Sequence, residues 1–257
     1  MSENAAPNYR VDGNGPPVTL IHGVGSYLES WDAVIAAIGG GYRFLRYDLR
    51  GHGESQKLPG PYSLDNFVDD LASLMDARGI EMTHLAGFSL GGLIAQAFAL
   101  AHPDRLRSLT LISTVAGRTD AEKAAVRRRA KTLAEKGAGT HLTEAVDRWF
   151  TAEFIAARPD VLEERRRRSL NNDPDCYAAA YRVLAEYDLA DRLPEIKTPT
   201  LVMTGENDVG STPRMAELIA DRIPDSQLHI FPRLKHSVLL EAPDQVAAQM
   251  KPFLETA

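Results

Sequence analysis

The sequence predicts an α/β protein with a mainly parallel, doubly wound sheet and an inserted helical lid. Three observations carry that expectation. Short apolar runs alternate with longer segments of helical spacing. Strands separated by helices pair in parallel and carry helices on both faces. One long stretch, from about Gly117 to Leu193, contains no convincing strand and interrupts the alternation.

The elements follow in chain order. Val18 to His22 and Tyr42 to Tyr47 read as strands. Ser63 to Arg78 has helical spacing, with Leu64, Phe67, Val68, Leu71, Leu74 and Met75 on one face and Gly79 as the stop. Thr83 to Phe88 is a strand, and Leu90 to His102 a helix closed by Pro103. Leu106 to Ser113, Thr200 to Gly205 and Gln227 to Phe231 are strands. Pro213 to Ile223 and Pro243 to Leu254 are helices opened by proline, which suits a first helical turn. The strandless stretch reads as several short helices with breaks at Gly137 to Gly139, at Pro159, and at Asn171 to Pro174. The domain reading is one α/β core, residues 1–116 and 194–257, with a lid at 117–193. Internal repeats and low-complexity segments are not evident.

Composition narrows the function classes. A length of 257 residues suits a single α/β domain, and 44% hydrophobic residues supply a large core. The net charge of −6 disfavours nucleic acid as a partner, because phosphate binding needs a basic face. The single cysteine, Cys176, allows no intrachain disulfide and fits a reducing compartment. Met1 to Pro17 is polar, without the apolar core of a signal peptide, and no run approaches the ~18 apolar residues of a membrane span. The expectation is a cytoplasmic protein with no membrane partner. Nothing in the pattern specifies oligomeric state.

The chemistry is announced at Gly87-Phe88-Ser89-Leu90-Gly91, a Gly-x-Ser-x-Gly pentapeptide between a strand and a helix. That context is what a nucleophile elbow requires. Ser89 would occupy a sharp, strained turn, with Gly87 and Gly91 leaving room for neighbouring backbone. The Leu90 N–H would then face a negative oxygen at a helix start. A serine nucleophile needs a histidine base and a carboxylate to hold its tautomer, and in this topology the order is Ser, acid, His. Seven histidines compete: His22, His52, His84, His102, His141, His229 and His236. His236 alone has both the order and a loop position after the last strand. For the acid, Asp208 follows the strand Thr200 to Gly205, with Glu206 as its rival; an alternative role for Asp208 is an Asx-type cap of the Pro213 helix. The second oxyanion donor is the Val24 N–H, in the turn Gly23-Val24-Gly25. The same glycines begin a dinucleotide fingerprint, but Leu28 stands where its third glycine is needed. His22 is expected to brace this turn, and Trp31 to pack behind it.

In the lid, the runs Arg127 to Arg129 and Arg165 to Arg168 have two readings. They could steer an anionic substrate. The preferred reading is solvated helix faces, because consecutive arginines point all round a helix. Trp149, Tyr177 and Tyr181 are candidate substrate-binding residues, with Phe150 and Phe154 beside them, although aromatic residues at helical spacing also serve as plain core.

These pieces resemble the α/β-hydrolase fold superfamily over nearly the whole chain. The matching segments are His22-Gly23-Val24-Gly25, Asp48 to Ser55, Gly87 to Gly92, Gly205-Glu206-Asn207-Asp208, and Lys235-His236 with Glu241-Ala242-Pro243. Within it, Asp48 to Ser55 and Asn172 to Ala180 make the chain most similar to 3-oxoadipate enol-lactonases and related esterases. The resemblance implies an acyl hydrolase needing no cofactor or metal, acting on a small ester or lactone, with a carboxylated lactone favoured. It makes Asp48 and Arg50 parts of a structural turn. Gly210-Ser211 departs from the pattern, where proline is common, and Lys235-His236 stands where Gly-His is common. Alternatives are a carbon–carbon bond hydrolase of ring-cleavage products, a short-chain carboxylesterase, and a ligand-binding receptor on the same fold. A dehalogenase is disfavoured, since Ser89 stands where Asp would be needed.

Overall fold

A computed structural model describes residues 7–257, with backbone alone at 138–142. His141, one of the seven histidines, falls outside the described side chains. Seven strands form one sheet in the order β1-β3-β2-β4-β5-β6-β7. They are β1 (Tyr9–Asp12), β2 (Pro17–Ile21), β3 (Arg43–Tyr47), β4 (Thr83–Phe88), β5 (Leu106–Ile112), β6 (Thr200–Gly205) and β7 (Ser226–Phe231). Only β1 runs antiparallel, against β3; every other pairing is parallel. The doubly wound expectation holds.

Helices cover both faces. α1 (Asp32–Ile38) and α10 (Pro243–Thr256) pack on each other. Beneath them Val18, Leu20, Phe88, Ile112, Met203 and Phe231 form one core cluster, which also buries Trp31. α2 (Leu64–Ala77), α3 (Leu90–Ala101) and α8 (Pro213–Arg222) serve the other face, over Ile21, Leu45, Leu85, Leu109 and Val202. Adjacent residues such as Leu20 and Ile21 join opposite clusters, as the two-residue period of a strand requires. A reciprocal cap starts α2, in which Asn66 N–H donates to Ser63 Oγ and Ser63 N–H to Asn66 Oδ1.

Between β5 and β6 the chain forms α4 (Asp120–Trp149), α5 (Ala152–Ala157), α6 (Pro159–Leu170) and α7 (Pro174–Glu186). α4 packs on both α6 and α7. It kinks at Gly137, where φ is 79° and ψ is 174°. The breaks at Pro159 and at 171–174 separate α5 from α6 and α6 from α7. The last short turn, α9 (Val238–Glu241), follows β7 and precedes α10.

β3 and β4 lie on opposite sides of β2, so successive crossovers diverge there. The carboxyl ends of strands at such a point form the crevice where open α/β sheets bind ligands. No helix among the described residues is long and apolar enough to cross a membrane.

Candidate active site

Three loops leaving the carboxyl ends of β4, β6 and β7 bring Ser89, Asp208 and His236 into one line. Nδ1 of His236 lies 2.7 Å from Asp208 Oδ2, and Nε2 lies 3.2 Å from Ser89 Oγ. A carboxylate cannot donate, so the ring donates from Nδ1 to Asp208 and its Nε2 lone pair faces the serine hydroxyl. The Asp208 side chain is fully buried, and that of His236 is 13% exposed. Asp208 Oδ1 accepts the N–H groups of Gly210 and Ser211, at 2.8 and 2.9 Å. A proline at either position would lack that donor, which gives the Gly210-Ser211 departure a physical use. Asp208 does not take its alternative role as cap of the Pro213 helix, since Thr212 occupies the capping position, without a side-chain bond. Glu206 is tied elsewhere, accepting the Arg233 N–H at 2.7 Å.

Ser89 takes φ 56° and ψ −114°, a strained conformation for a residue with a side chain. The glycines around it answer to close backbone. A Cβ on Gly87 would lie 2.2 Å from the Gly91 carbonyl oxygen, and one on Gly91 would lie 2.4 Å from that of Ile21. Ser89 N–H donates to Ile112 O at 2.9 Å, and Thr114 Oγ1 donates to Ser89 O at 2.9 Å. Thr114 therefore pins the elbow.

The site opens into a pocket. Gly23, Val24, Ser89, Asp208 and His236 line its floor. Trp149 and Tyr181 line its roof. Tyr177 does not reach it. Its ring is 1% exposed and packs against the glycine turn, where a Cβ on Gly25 would meet the Tyr177 hydroxyl at 2.5 Å. Phe150 and Phe154 also stay outside the lining and stack on each other, with ring centroids 5.3 Å apart.

The solvated reading of the arginine runs needs correction at one residue in each. Arg127 and Arg128 are exposed, while Arg129 turns into the pocket. Arg166 and Arg167 pair with Glu163 and Glu164, and Arg168 with Glu29 and Glu164. Arg165 is 7% exposed and lines the pocket, its guanidinium 4.9 Å from the Trp149 ring. A helix that packs on a neighbour directs one residue of any four inward, charged or not. Arg118, just before α4, and Arg148, in its last turn, join the lining.

The family model described as alpha/beta hydrolase fold matches residues 16–243. The chain belongs to this family. It is 32% identical over 259 residues to an (E)-2-((N-methylformamido)methylene)succinate hydrolase of Acinetobacter baylyi, covering 100% of this chain and 97% of that protein. It is 30% identical over 258 residues to 3-oxoadipate enol-lactonase 2 of the same organism, covering 98% and 96%. The crystal structure of the enol-lactonase from Burkholderia xenovorans LB400 superposes with a TM-score of 0.92 at 30% identity, covering 98% of this chain and 97% of that one.

In this α/β-hydrolase two buried histidines brace the turn that carries Val24. His22 Nε2 accepts the Leu49 N–H at 3.0 Å while Nδ1 meets Gly23 O at 2.7 Å. His52 Nε2 accepts the Gly25 N–H at 3.0 Å while Nδ1 meets Arg50 O at 3.0 Å. Both rings must be neutral with the proton on Nδ1, since an acceptor nitrogen needs its lone pair. Burial enforces that state, pushing His22 below its ordinary value and His52 down to about 3. The turn at 48–55 is held from below. Asp48 accepts the N–H groups of Leu28 and Glu54, and Arg50 makes two bonds of 2.7 Å to Asp70. Neither Asp48 nor Arg50 lines the pocket. No group of three or more His, Cys, Asp and Glu side chains among the described residues is arranged to hold a metal ion.

Proposed function

We propose that the protein is a serine hydrolase of small carboxylic esters or lactones, working through an acyl-enzyme. The observation that carries this reading is the position of His236, bonded to Asp208 through Nδ1 and within reach of Ser89 Oγ through Nε2. Ser89 attacks the carbonyl carbon as its proton passes to His236. The ring becomes cationic, and Asp208 stabilises it. The Val24 and Leu90 N–H groups hold the developing oxyanion, each contributing about 3 to 4 kcal/mol in comparable sites. Collapse returns the proton from His236 to the leaving alkoxide. In a lactone that oxygen stays attached to the acyl group as a hydroxyl. Water then attacks the ester of Ser89, with His236 again as base, and the acid is released. The residues named supply every proton transfer, so the reading calls for no cofactor.

Two relatives are named for a succinate derivative and for 3-oxoadipate enol-lactone. Together with the arginines of the pocket, they support a small organic-acid ester or lactone as the substrate. The inserted helices act as the lid that confines it. The test combines a panel of esters and lactones with fluorophosphonate labelling. Labelling should map to Ser89, and Ser89→Ala should lose about a thousandfold or more in turnover while remaining folded. Undiminished hydrolysis by Ser89→Ala would remove the mechanism. Cleavage of a ring-cleavage dienone with inert esters would replace it with the carbon–carbon reaction.

A further inference from the structure

Among the arginines that line the pocket, Arg118 and Arg148 have a carboxylate at hand. Asp188 lies beside Arg118, whose backbone N–H it accepts at 2.9 Å. Glu144 lies beside Arg148, whose guanidinium donates to its backbone oxygen. Arg165 has no such neighbour. It makes no hydrogen bond and no ion pair among the described residues, its Nε meets no acceptor, and the residue is 7% exposed. The Trp149 ring lies 4.9 Å from the guanidinium, and an aromatic face draws a cation without neutralising it.

The carboxylates that could have served are committed elsewhere. α6, which carries Arg165, has three, and all pair with other arginines. Asp160 pairs with Arg158, Glu163 with Arg166, and Glu164 with Arg167 and Arg168. Glu29 pairs with Arg10 and Arg168. Asp208, the carboxylate of the pocket lining, is occupied by His236, Gly210 and Ser211. A guanidinium buried without a counter-charge is costly, and an apolar side chain at this inward position of α6 would avoid the cost. The cost is offset when a bound molecule brings the anion.

We infer that Arg165 is a specificity-determining residue, which takes one free carboxylate carried by the ester or lactone substrate. Arg165 lines the same pocket as Ser89 and His236, so a single small molecule can meet the serine with its carbonyl and the guanidinium with its carboxylate. The paired oxygens of a carboxylate suit a planar guanidinium. The inference deepens the hydrolase reading and rests on it for the reaction alone, because the anion site binds acids with or without turnover.

Calorimetric titration of Ser89→Ala protein at low salt tests it. The probes are monomethyl glutarate and monomethyl adipate, each with one free carboxylate, against the uncharged dimethyl esters of the same acids. The half-esters should bind at least about tenfold more tightly, as one charge-assisted contact implies. Adding Arg165→Met, which keeps an unbranched stem against Trp149, should bring that ratio towards one. Without ligand, Arg165→Met should be at least as resistant to urea as its parent, since no partner is stranded. A guanidinium retained for packing alone would make the variant less stable or unable to fold, and either result would overturn the inference. Equal binding of half-esters and diesters, or a preference for half-esters that survives Arg165→Met, would overturn it as well. Tighter binding of half-esters by protein that hydrolyses no ester would refute the hydrolase reading and leave the anion site standing.

Discussion

Acidification should destabilise this protein through the two histidines under the glycine turn, and His52 allows the size to be worked out. Its folded value is about 3, against 6.5 for the ordinary side chain. The folded ring therefore stays neutral through the mildly acidic range while the unfolded ring charges. Because the unfolded state binds the extra proton, stability is complete above about pH 6.5 and is lost as pH falls towards 3. Between pH 7 and pH 5 the unfolded ring gains most of a proton and the folded ring almost none, which amounts to about 2 kcal/mol. His22, also lowered by burial, acts in the same direction. Urea unfolding at pH 7 and pH 5, for the native protein and for His52→Gln, isolates the term. The glutamine amide oxygen can still accept the Gly25 N–H. Carboxylates titrate alike in both proteins and cancel in the comparison. The variant should lose about 2 kcal/mol less than the native protein over this interval. An identical loss in both would show that His52 does not stay neutral at pH 5, and the account of the braced turn would fall with it.

Three further outcomes follow from the geometry. Asp208→Asn keeps an acceptor for Gly210 and Ser211 but can present an amide to His236 Nδ1, so kcat should fall about ten-thousandfold with the thermal midpoint little changed. Gly91→Ala places a methyl 2.4 Å from the Ile21 carbonyl oxygen, a backbone atom that cannot swing aside. It should cost about 2 kcal/mol or more in urea unfolding, and a silent substitution would refute the tight elbow. Arg50→Met removes the guanidinium that pairs with the buried Asp70 carboxylate, both side chains being under 5% exposed in the native pair. The loss should be about 3 kcal/mol, and the double variant Arg50→Met with Asp70→Leu should recover much of it.

The fold was legible because its central strands are buried on both faces. β4 and β6 are fully buried along their length, and each shows a short apolar stretch in the sequence, Leu85-Ala86 and Leu201-Val202-Met203. β1 left no such trace. All four of its residues are exposed, and an edge strand that buries nothing is set by pairing with β3 rather than by its own pattern. α1 spans seven residues and buries Val34 and Ile38, too short a stretch for a helical period to declare itself. The Ser, Asp and His positions were legible for a different reason. Each lies at the carboxyl end of a strand, where chain order and loop position restrict the choice. Thr114 was hidden because its partner is a backbone carbonyl twenty-five positions away.

The pocket roof was the least legible part, and the helical period explains why. A run of four arginines presents every direction at once, so sequence says that one faces inward without saying which one. The answer depends on how α6 is rotated about its axis. Residue 165 shares its buried aspect with Ser169, four positions on. The same rotation sends Arg166 and Arg167 to solvent, where Glu163 and Glu164 meet them. In α4 the kink at Gly137 separates the stretch carrying Arg129 from the one carrying Arg148 and Trp149, and no single phase relates the two. The floor residues follow from strand order, whereas the roof side chains take an aim that is fixed only when the helices pack.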